Sequence, residues 1–351
     1  MSTSLPREEV PSLRFAVIGT GRIGRMHAQL LATQVRGATL VAVSDAVPAL
    51  AEEVGVANGV PALDTRRVLA DPSVDAVAVC APTDAHVPLI VEAAKAGKAI
   101  FCEKPVSLDL AEVDRALAAV EGSNAKLMVG FNRRFDPSHA AVHDAVVNGR
   151  TGPPEILRIT SRDPGPPPMS YVRTSGGIFL DMMIHDFDMA RFVVGSEVVE
   201  VCASGAVRVS REFADNGDVD TAVVMLRHEN ECLSVIDNSR RATYGYDQRV
   251  EVLGCEGLAA SENPLANSSV LRDASGTRLA TLPYFFLERY SISYLRQWDA
   301  FVAAIVAGAV SPTSGNDGRA ALVIGFAAKQ SLLEHRPVMV AEVEADGGGK
   351  R

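Results

Sequence analysis

The sequence predicts an α/β protein of two domains: a doubly wound parallel sheet at the N-terminus, then a C-terminal α/β domain with an open-faced, largely antiparallel sheet. Three observations point there. At 351 residues the chain exceeds what one hydrophobic core usually supports. Its first part alternates short apolar strands with helix-period segments, the pattern of a parallel sheet covered on both faces. Its second part is rich in β-branched runs separated by turn residues. The expected boundaries are 12–132 and 133–340, with 1–11 and 345–351 as flexible ends.

In order, Phe15-Ala16-Val17-Ile18 is an apolar strand running into glycines, and a helical pattern continues through His27, Leu30 and Leu31. A strand at Thr39 to Val43 and a helix at Pro48 to Val54 follow. Next come a strand at Ala76 to Cys80 and a helix from about Asp84 to Ala96, stopped by Gly97 as a C-terminal glycine stops helices. Ala99 to Cys102, a helix at Asp109 to Val120 and Leu127-Met128-Val129 close the series. In the second part, strands are expected at Ile156 to Thr160, Val198 to Val207, Val219 to Leu226 and Cys232 to Ile236. His228-Glu229-Asn230 reads as a hairpin, and one helix is expected at about Asp181 to Val194. The proline run Asp163 to Pro168 reads as a stiff loop over a cleft. A helix around Tyr290 to Val306 is expected to pack back across both domains. A sheet with one open face needs cover, which self-association supplies.

Composition narrows the function. No run of about 18 apolar residues spans a bilayer, and Met1 to Pro11 does not resemble a signal peptide. Cys80, Cys102, Cys202, Cys232 and Cys255 are scattered, without a Cys-x-x-Cys pair, which argues against a disulfide framework and a cysteine zinc site. A cytoplasmic location is therefore expected. A net charge of −9 offers no footprint for nucleic acid or an anionic membrane.

Gly19-Thr20-Gly21-Arg22-Ile23-Gly24 follows a strand and opens a helix, the setting a dinucleotide loop requires. The first glycine makes the turn, the second admits the pyrophosphate and the third allows close packing, with phosphate at the positive end of the helix. Asp45 ends the next strand, where its carboxylate accepts both ribose hydroxyls of NAD and repels a 2′-phosphate. Ala46 follows, where a basic residue would have suited NADP. The first domain is therefore expected to be a Rossmann domain binding NAD. At the carboxyl end of a later strand, Ala81 and Pro82 are expected to line the dinucleotide. His86 is expected to serve structure or cofactor packing more than proton transfer.

Glu103-Lys104-Pro105 ends the next strand on the same sheet edge, so Glu103 and Lys104 are expected at the cofactor. A lysine there can bond a substrate hydroxyl and favour an alkoxide-like transition state. Proline fixes the local chain and allows a cis Lys104-Pro105 bond. If Gly176-Gly177-Ile178-Phe179-Leu180-Asp181-Met182-Met183-Ile184-His185 is helical, Asp181 and His185 share a face, so the carboxylate can hold the imidazole while it exchanges a proton with a hydroxyl. An isolated Asp-x-x-x-His is usually an ion pair; the glycine loop and Lys104 give this one its meaning. His139 and His143 have the spacing of two metal ligands, but no glutamate follows the first, and they read as a solvated helix face. His27, His228 and His335 read as structural. No metal is expected.

The early glycine loop, Glu103-Lys104-Pro105, Gly130-Phe131-Asn132-Arg133-Arg134-Phe135-Asp136-Pro137 and Gly176-Gly177 leading to Asp181 and His185 resemble the oxidoreductase family that includes glucose–fructose oxidoreductase and inositol dehydrogenase. The resemblance covers about residues 12 to 340. Ser161-Arg162-Asp163-Pro164, the segment Ile184 to Phe192, Tyr244-Gly245-Tyr246-Asp247-Gln248-Arg249 and Phe286-Leu287-Glu288-Arg289-Tyr290 are most similar to its inositol 2-dehydrogenase subgroup. The resemblance implies Lys104, Asp181 and His185 as the catalytic set. It implies Arg134, Asp163, Tyr244 and Tyr246 as polyol contacts beside them, Arg133 and Asn132 near the cofactor, and a homotetramer or dimer formed through the sheets. The activity it implies is NAD-dependent oxidation of myo-inositol to the 2-keto inosose. Scyllo-inositol, another isomer or a pyranose sugar stay open as substrates, and a non-catalytic NAD-binding sensor is the rival from another class.

Overall fold

The computed structural model describes residues 12–345. Of the expected flexible ends 1–11 and 345–351, residues 1–11 and 346–351 lie outside the described ones, and Ala345 ends a helix. The chain divides into two compact units: Met1–Val106 with Arg115–Gly130 and Gln297–Gly315, and Ser107–Asp114 with Phe131–Arg296 and Asn316–Arg351.

The elements β1 (Leu13–Ile18), α1 (Arg22–Thr33), β2 (Ala38–Ser44), α2 (Pro48–Asn58), α3 (Thr65–Ala70), β3 (Ala76–Val79), α4 (Thr83–Lys95), β4 (Ala99–Cys102), α5 (Leu110–Ser123) and β5 (Leu127–Val129) follow in order. The five strands form one parallel sheet ordered β2-β1-β3-β4-β5. All four residues of β3 are buried, as both-faces cover demands. Strand order reverses between β1 and β3, and ligands of such sheets bind at the carboxyl ends beside that reversal. From the segment Gln297–Gly315, Trp298 enters this unit's core, edge-on to Phe15 at 5.4 Å and tilted on Phe101 at 4.5 Å.

The following elements are α6 (Pro137–Val147), β6 (Pro154–Arg162), α7 (Met169–Ser175), α8 (Ile184–Val194), β7 (Val198–Ala206), α9 (Arg211–Asp215), β8 (Thr221–His228), β9 (Leu233–Ser239), β10 (Asp247–Gly254), β11 (Gly257–Ser261), β12 (Val270–Asp273), β13 (Gly276–Leu279), α10 (Phe286–Arg289), α11 (Ser291–Val306), α12 (Gly315–Glu334), β14 (Val338–Met339) and α13 (Val340–Ala345). Seven strands form a sheet ordered β11-β10-β6-β9-β8-β7-β14. Its neighbours are antiparallel except β6 and β9, which run parallel. Pro137 opens α6 after Asp136, whose side chain accepts the N–H groups of Ser138 and His139.

Helices α6 and α8 lie against one face of this sheet. On the other face Val223, Met225, Leu233, Val235, Leu253 and Leu258 are exposed, alternating with buried residues along β8 and β9.

The expected helix from Asp181 is corrected. Residues Ile178–Met182 form a π turn, closed by Met183 N–H donating to Ile178 O at 2.8 Å, and α8 begins only at Ile184. Gly176 and Gly177 precede it with φ of 89° and 79°, and the turn that they set feeds in a wider ring than an α-helix uses.

Candidate active site

In the first unit the glycine turn has the shape a dinucleotide needs. Gly19 has φ 94°, and a Cβ there would lie 2.4 Å from Ala81 N; one on Gly24 would lie 1.9 Å from Gly19 O. These two glycines pack β1, α1 and the turn after β3 together. Gly21 differs: a Cβ there would meet nothing within 4 Å, so the start of α1 faces open space with bare backbone. Arg22 and Ile23 follow it in the first turn of α1, whose positive end suits a pyrophosphate.

Asp45 is tied to this turn. Its Oδ2 accepts Thr20 N–H at 2.6 Å and Thr20 Oγ1–H at 2.9 Å, and its Oδ1 accepts Val47 N–H at 2.9 Å. Burial pushes its carboxyl up, but these bonds outweigh that and hold it below the ordinary aspartate value. Open backbone at Gly21 and an acid at the end of β2 fit NAD.

His86 is buried between two carbonyls, with Nε2 2.8 Å from Ala81 O and Nδ1 2.8 Å from Pro105 O. Pro82 precedes α4 as its N-cap. Glu103 is bonded to His27, and its Oε2 accepts Lys104 N–H at 3.3 Å. Lys104 is half-buried just past the end of β4, and the Lys104-Pro105 bond is cis.

Lys104 belongs to the first unit, and Asp181 and His185 belong to the second. Asp181 is buried, its Oδ1 accepting Tyr171 Oη–H at 2.7 Å and its Oδ2 accepting Arg240 Nη2–H at 3.0 Å. The same guanidinium reaches Asp163 Oδ2 at 3.5 Å. Two carboxylates thus share one buried arginine. Asp163 is pushed up to about 6, first by burial and then by the charge of Asp181, against the pull of Arg240 and Arg133. His185 lies at the start of α8, its ring edge-on to Phe131 with centroids 6.1 Å apart. Tyr246 is buried edge-on against Tyr290; burial raises its phenol well above the ordinary value, Arg133 opposes and the Asp163 charge adds to the rise. The second unit therefore brings the half-buried Asp163 into one electrostatic neighbourhood with the buried Asp181 and Tyr246.

Other expected contacts are engaged in folding. Arg133 is buried, bonded to Asp186 Oδ1 at 2.5 Å and to Ser161 Oγ at 3.2 Å. Arg134 grips Asp188 through Nε at 2.8 Å and Asp317 through Nη2 at 2.9 Å, with Phe192 under its guanidinium. Asn132 donates to Ser293 Oγ at 3.4 Å. Tyr244 is exposed, its hydroxyl donating to Asp247 Oδ2 at 2.6 Å and accepting from Arg162 at 3.0 Å.

The solvated-face reading of His139 and His143 is corrected. His139 is not on a solvated face: it is 1% exposed, bonded to Ser261 Oγ at 3.0 Å, and burial drives its imidazole down to about 3. His143 stacks on Phe192 at 3.9 Å. His27, read as structural, is buried and contacts Glu103 at 2.7 Å and Trp298 at 2.9 Å. Sequence reading also missed Tyr171, Thr20 and Arg240; only the proximity of Tyr171 to the proline run and of Arg240 to the end of β9 could have hinted at them.

Fold and cradle define an NAD-binding oxidoreductase. Residues 13–131 match the oxidoreductase family with an NAD-binding Rossmann fold, and residues 139–260 match the GFO/IDH/MocA C-terminal domain. The chain belongs to the GFO/IDH/MocA oxidoreductase family. It is 49% identical over 335 residues to myo-inositol 2-dehydrogenase of Thermotoga maritima, covering 94% of this chain and 99% of that protein. The crystal structure of a putative myo-inositol dehydrogenase from Sinorhizobium meliloti 1021 superposes with a TM-score of 0.91 at 47% identity, over 94% of this chain and all (100%) of that one. Scyllo-inositol dehydrogenase from Lactobacillus casei, solved with bound NAD(H) and scyllo-inositol, gives 0.87 at 29% identity, over 94% and 99% of the two chains.

Proposed function

We propose that this enzyme oxidises myo-inositol at its 2-hydroxyl to the 2-keto inosose, with NAD as acceptor. The observation that carries the reading is the 49% identity, nearly end to end, to a myo-inositol 2-dehydrogenase. A polar neighbourhood of Asp163, Asp181, Arg240 and Tyr246 supports it, because a cyclitol presents many hydroxyls and needs many polar partners.

Bound NAD supplies the hydride acceptor. In this reading His185 takes the hydroxyl proton as the carbon loses hydride and the carbonyl forms. Lys104 orients that hydroxyl and favours negative charge on its oxygen. Asp181 aligns His185, while Tyr171 and Arg240 fix the Asp181 carboxylate. Arg134, Asp163, Tyr244 and Tyr246 remain the proposed polyol-side residues, and Gly21, Asp45, Ala81 and Pro82 the proposed cofactor contacts.

We further propose that the enzyme is cytoplasmic, in keeping with five free cysteines, and a homotetramer or dimer. The exposed apolar face of Val223, Met225, Leu233 and Val235 supports self-association. Light scattering of the eluted protein tests the assembly; a monomer overturns it.

NADH formation with myo-inositol, scyllo-inositol, other isomers and common pyranoses tests the function. Preference for myo-inositol is expected. Preference for scyllo-inositol, whose dehydrogenase shares this fold, would move the substrate, and NAD binding without any turnover would leave a sensor.

A further inference from the structure

Two buried histidines flank Lys104 in the first unit, and the proposed chemistry uses neither. Trp298 Nε1–H donates to His27 Nδ1 at 2.9 Å. An indole nitrogen can only donate, so Nδ1 must accept and the ring carries its proton on Nε2. That N–H therefore donates to Glu103 Oε1, 2.7 Å away. Glu103 Oε2 accepts the Lys104 main-chain N–H at 3.3 Å. Gly130 makes room for this carboxyl: a Cβ on it would lie 3.0 Å from Oε2 and 3.1 Å from Cδ.

The second histidine acts on the other side. The His86 ring bridges the carbonyls of Ala81 and Pro105, both at 2.8 Å. Burial pushes the His86 imidazole below its ordinary value, against the two carbonyls, which favour a protonated ring. A neutral ring donates to one of these carbonyls and a protonated ring to both, so the bond to Pro105 O is made by the Nδ1–H tautomer or by the charged ring.

We propose that His27, through Glu103, and His86, through the Pro105 carbonyl, are positioning residues that fix the Lys104 main chain from both sides. The proposal rests on Lys104 acting as described above. Neither histidine touches substrate in this role. Misplacing a group that orients the reacting hydroxyl costs turnover more than binding.

The test compares His27→Leu, His86→Leu and the glutamine variants His27→Gln and His86→Gln with Lys104→Ala. Readouts are kcat and KM for myo-inositol, the NAD dissociation constant by calorimetry, and hydrogen exchange of the Lys104 amide in the NAD-free protein. Each leucine variant should lose roughly 10–100-fold in kcat, with KM and NAD affinity within about 3-fold. In His27→Leu, exchange should quicken at Lys104 without a general rise. Glutamine, which keeps an N–H donor at either site, should recover most of the loss. If His27→Leu does not fold, Gly130→Ala replaces it, since its methyl displaces the Glu103 carboxyl and should give the same pattern. Leucine variants with full kcat beside an inactive Lys104→Ala overturn the proposal, as do glutamine variants no better than leucine. Full turnover in Lys104→Ala overturns instead the role of Lys104; the exchange rate then still decides whether His27 holds its main chain.

Discussion

The Asp45 carboxylate accepts both the backbone N–H and the hydroxyl of Thr20, so the acid that ends β2 also braces the glycine turn that follows β1. One side chain thereby serves the choice of cofactor and the shape of its cradle. Asp45→Ser with Ala46→Arg should weaken NAD binding and admit NADP, because a carboxylate leaves and a phosphate partner arrives. The loss of NAD affinity should exceed that of Ala46→Arg alone. Dissociation constants for both dinucleotides check this; a wild-type preference for NADP would refute the assignment of Asp45.

His185→Ala should lower kcat by roughly 10²–10⁴, the scale of a lost general base. NAD affinity should hardly change, and the acidic limb of the pH–rate profile should flatten. Lys104→Ala should also be severe but leave that limb in place. A limb that survives in His185→Ala and vanishes in Lys104→Ala would exchange the two roles.

Asp163 titrates near 6 in the fold, above the aspartate reference of 3.8. The folded protein therefore holds this proton more tightly than the unfolded chain, and the stability it contributes is present below the unfolded value and lost as pH rises through about 6. Asp163→Asn should thus melt higher than the parent at neutral pH, by about 1–3 kcal/mol, with the advantage shrinking toward pH 4. Melting curves across that range decide it; an advantage independent of pH would mean that Asp163 is not the group responsible.

Arg134→Ala should act first on the fold. Its guanidinium joins Asp188 to Asp317, and removing it leaves a buried carboxylate without its partner, a loss of about 3–5 kcal/mol. A lower denaturation midpoint is expected before any change in KM; normal stability with a raised KM would return Arg134 to the polyol side alone.

The Rossmann half was legible because its signals are local. Glycine spacing, Asp45 at the next strand end and continuous apolar runs lie within short windows, and the sheet follows from them. The second half was legible as an open-faced, largely antiparallel sheet through four of its strands, but β10 to β14 were not anticipated. The parallel β6–β9 pair joins distant segments, which no periodicity reveals. In the site, Lys104, Asp181 and His185 stood out through motif residues. The π turn did not, because the sequence of Ile178 to Met182 carries the apolar content of an α-helix equally well. Arg240 and Tyr171 were invisible because tertiary packing brings them to Asp181. His139 was misread because one buried edge of a short helix looks polar in sequence.

The parallel pairing of β6 with β9 sets the order in which the second unit can assemble. Strands β8 and β9 meet across a short hairpin and can zip early, whereas β6 and β9 are joined only after the whole chain between Arg162 and Leu233 has closed into a loop. The middle of the sheet then forms after the β8–β9 hairpin beside it. Until β6 arrives, one edge of β9 stays open to any other strand, so refolding yield should fall as protein concentration rises.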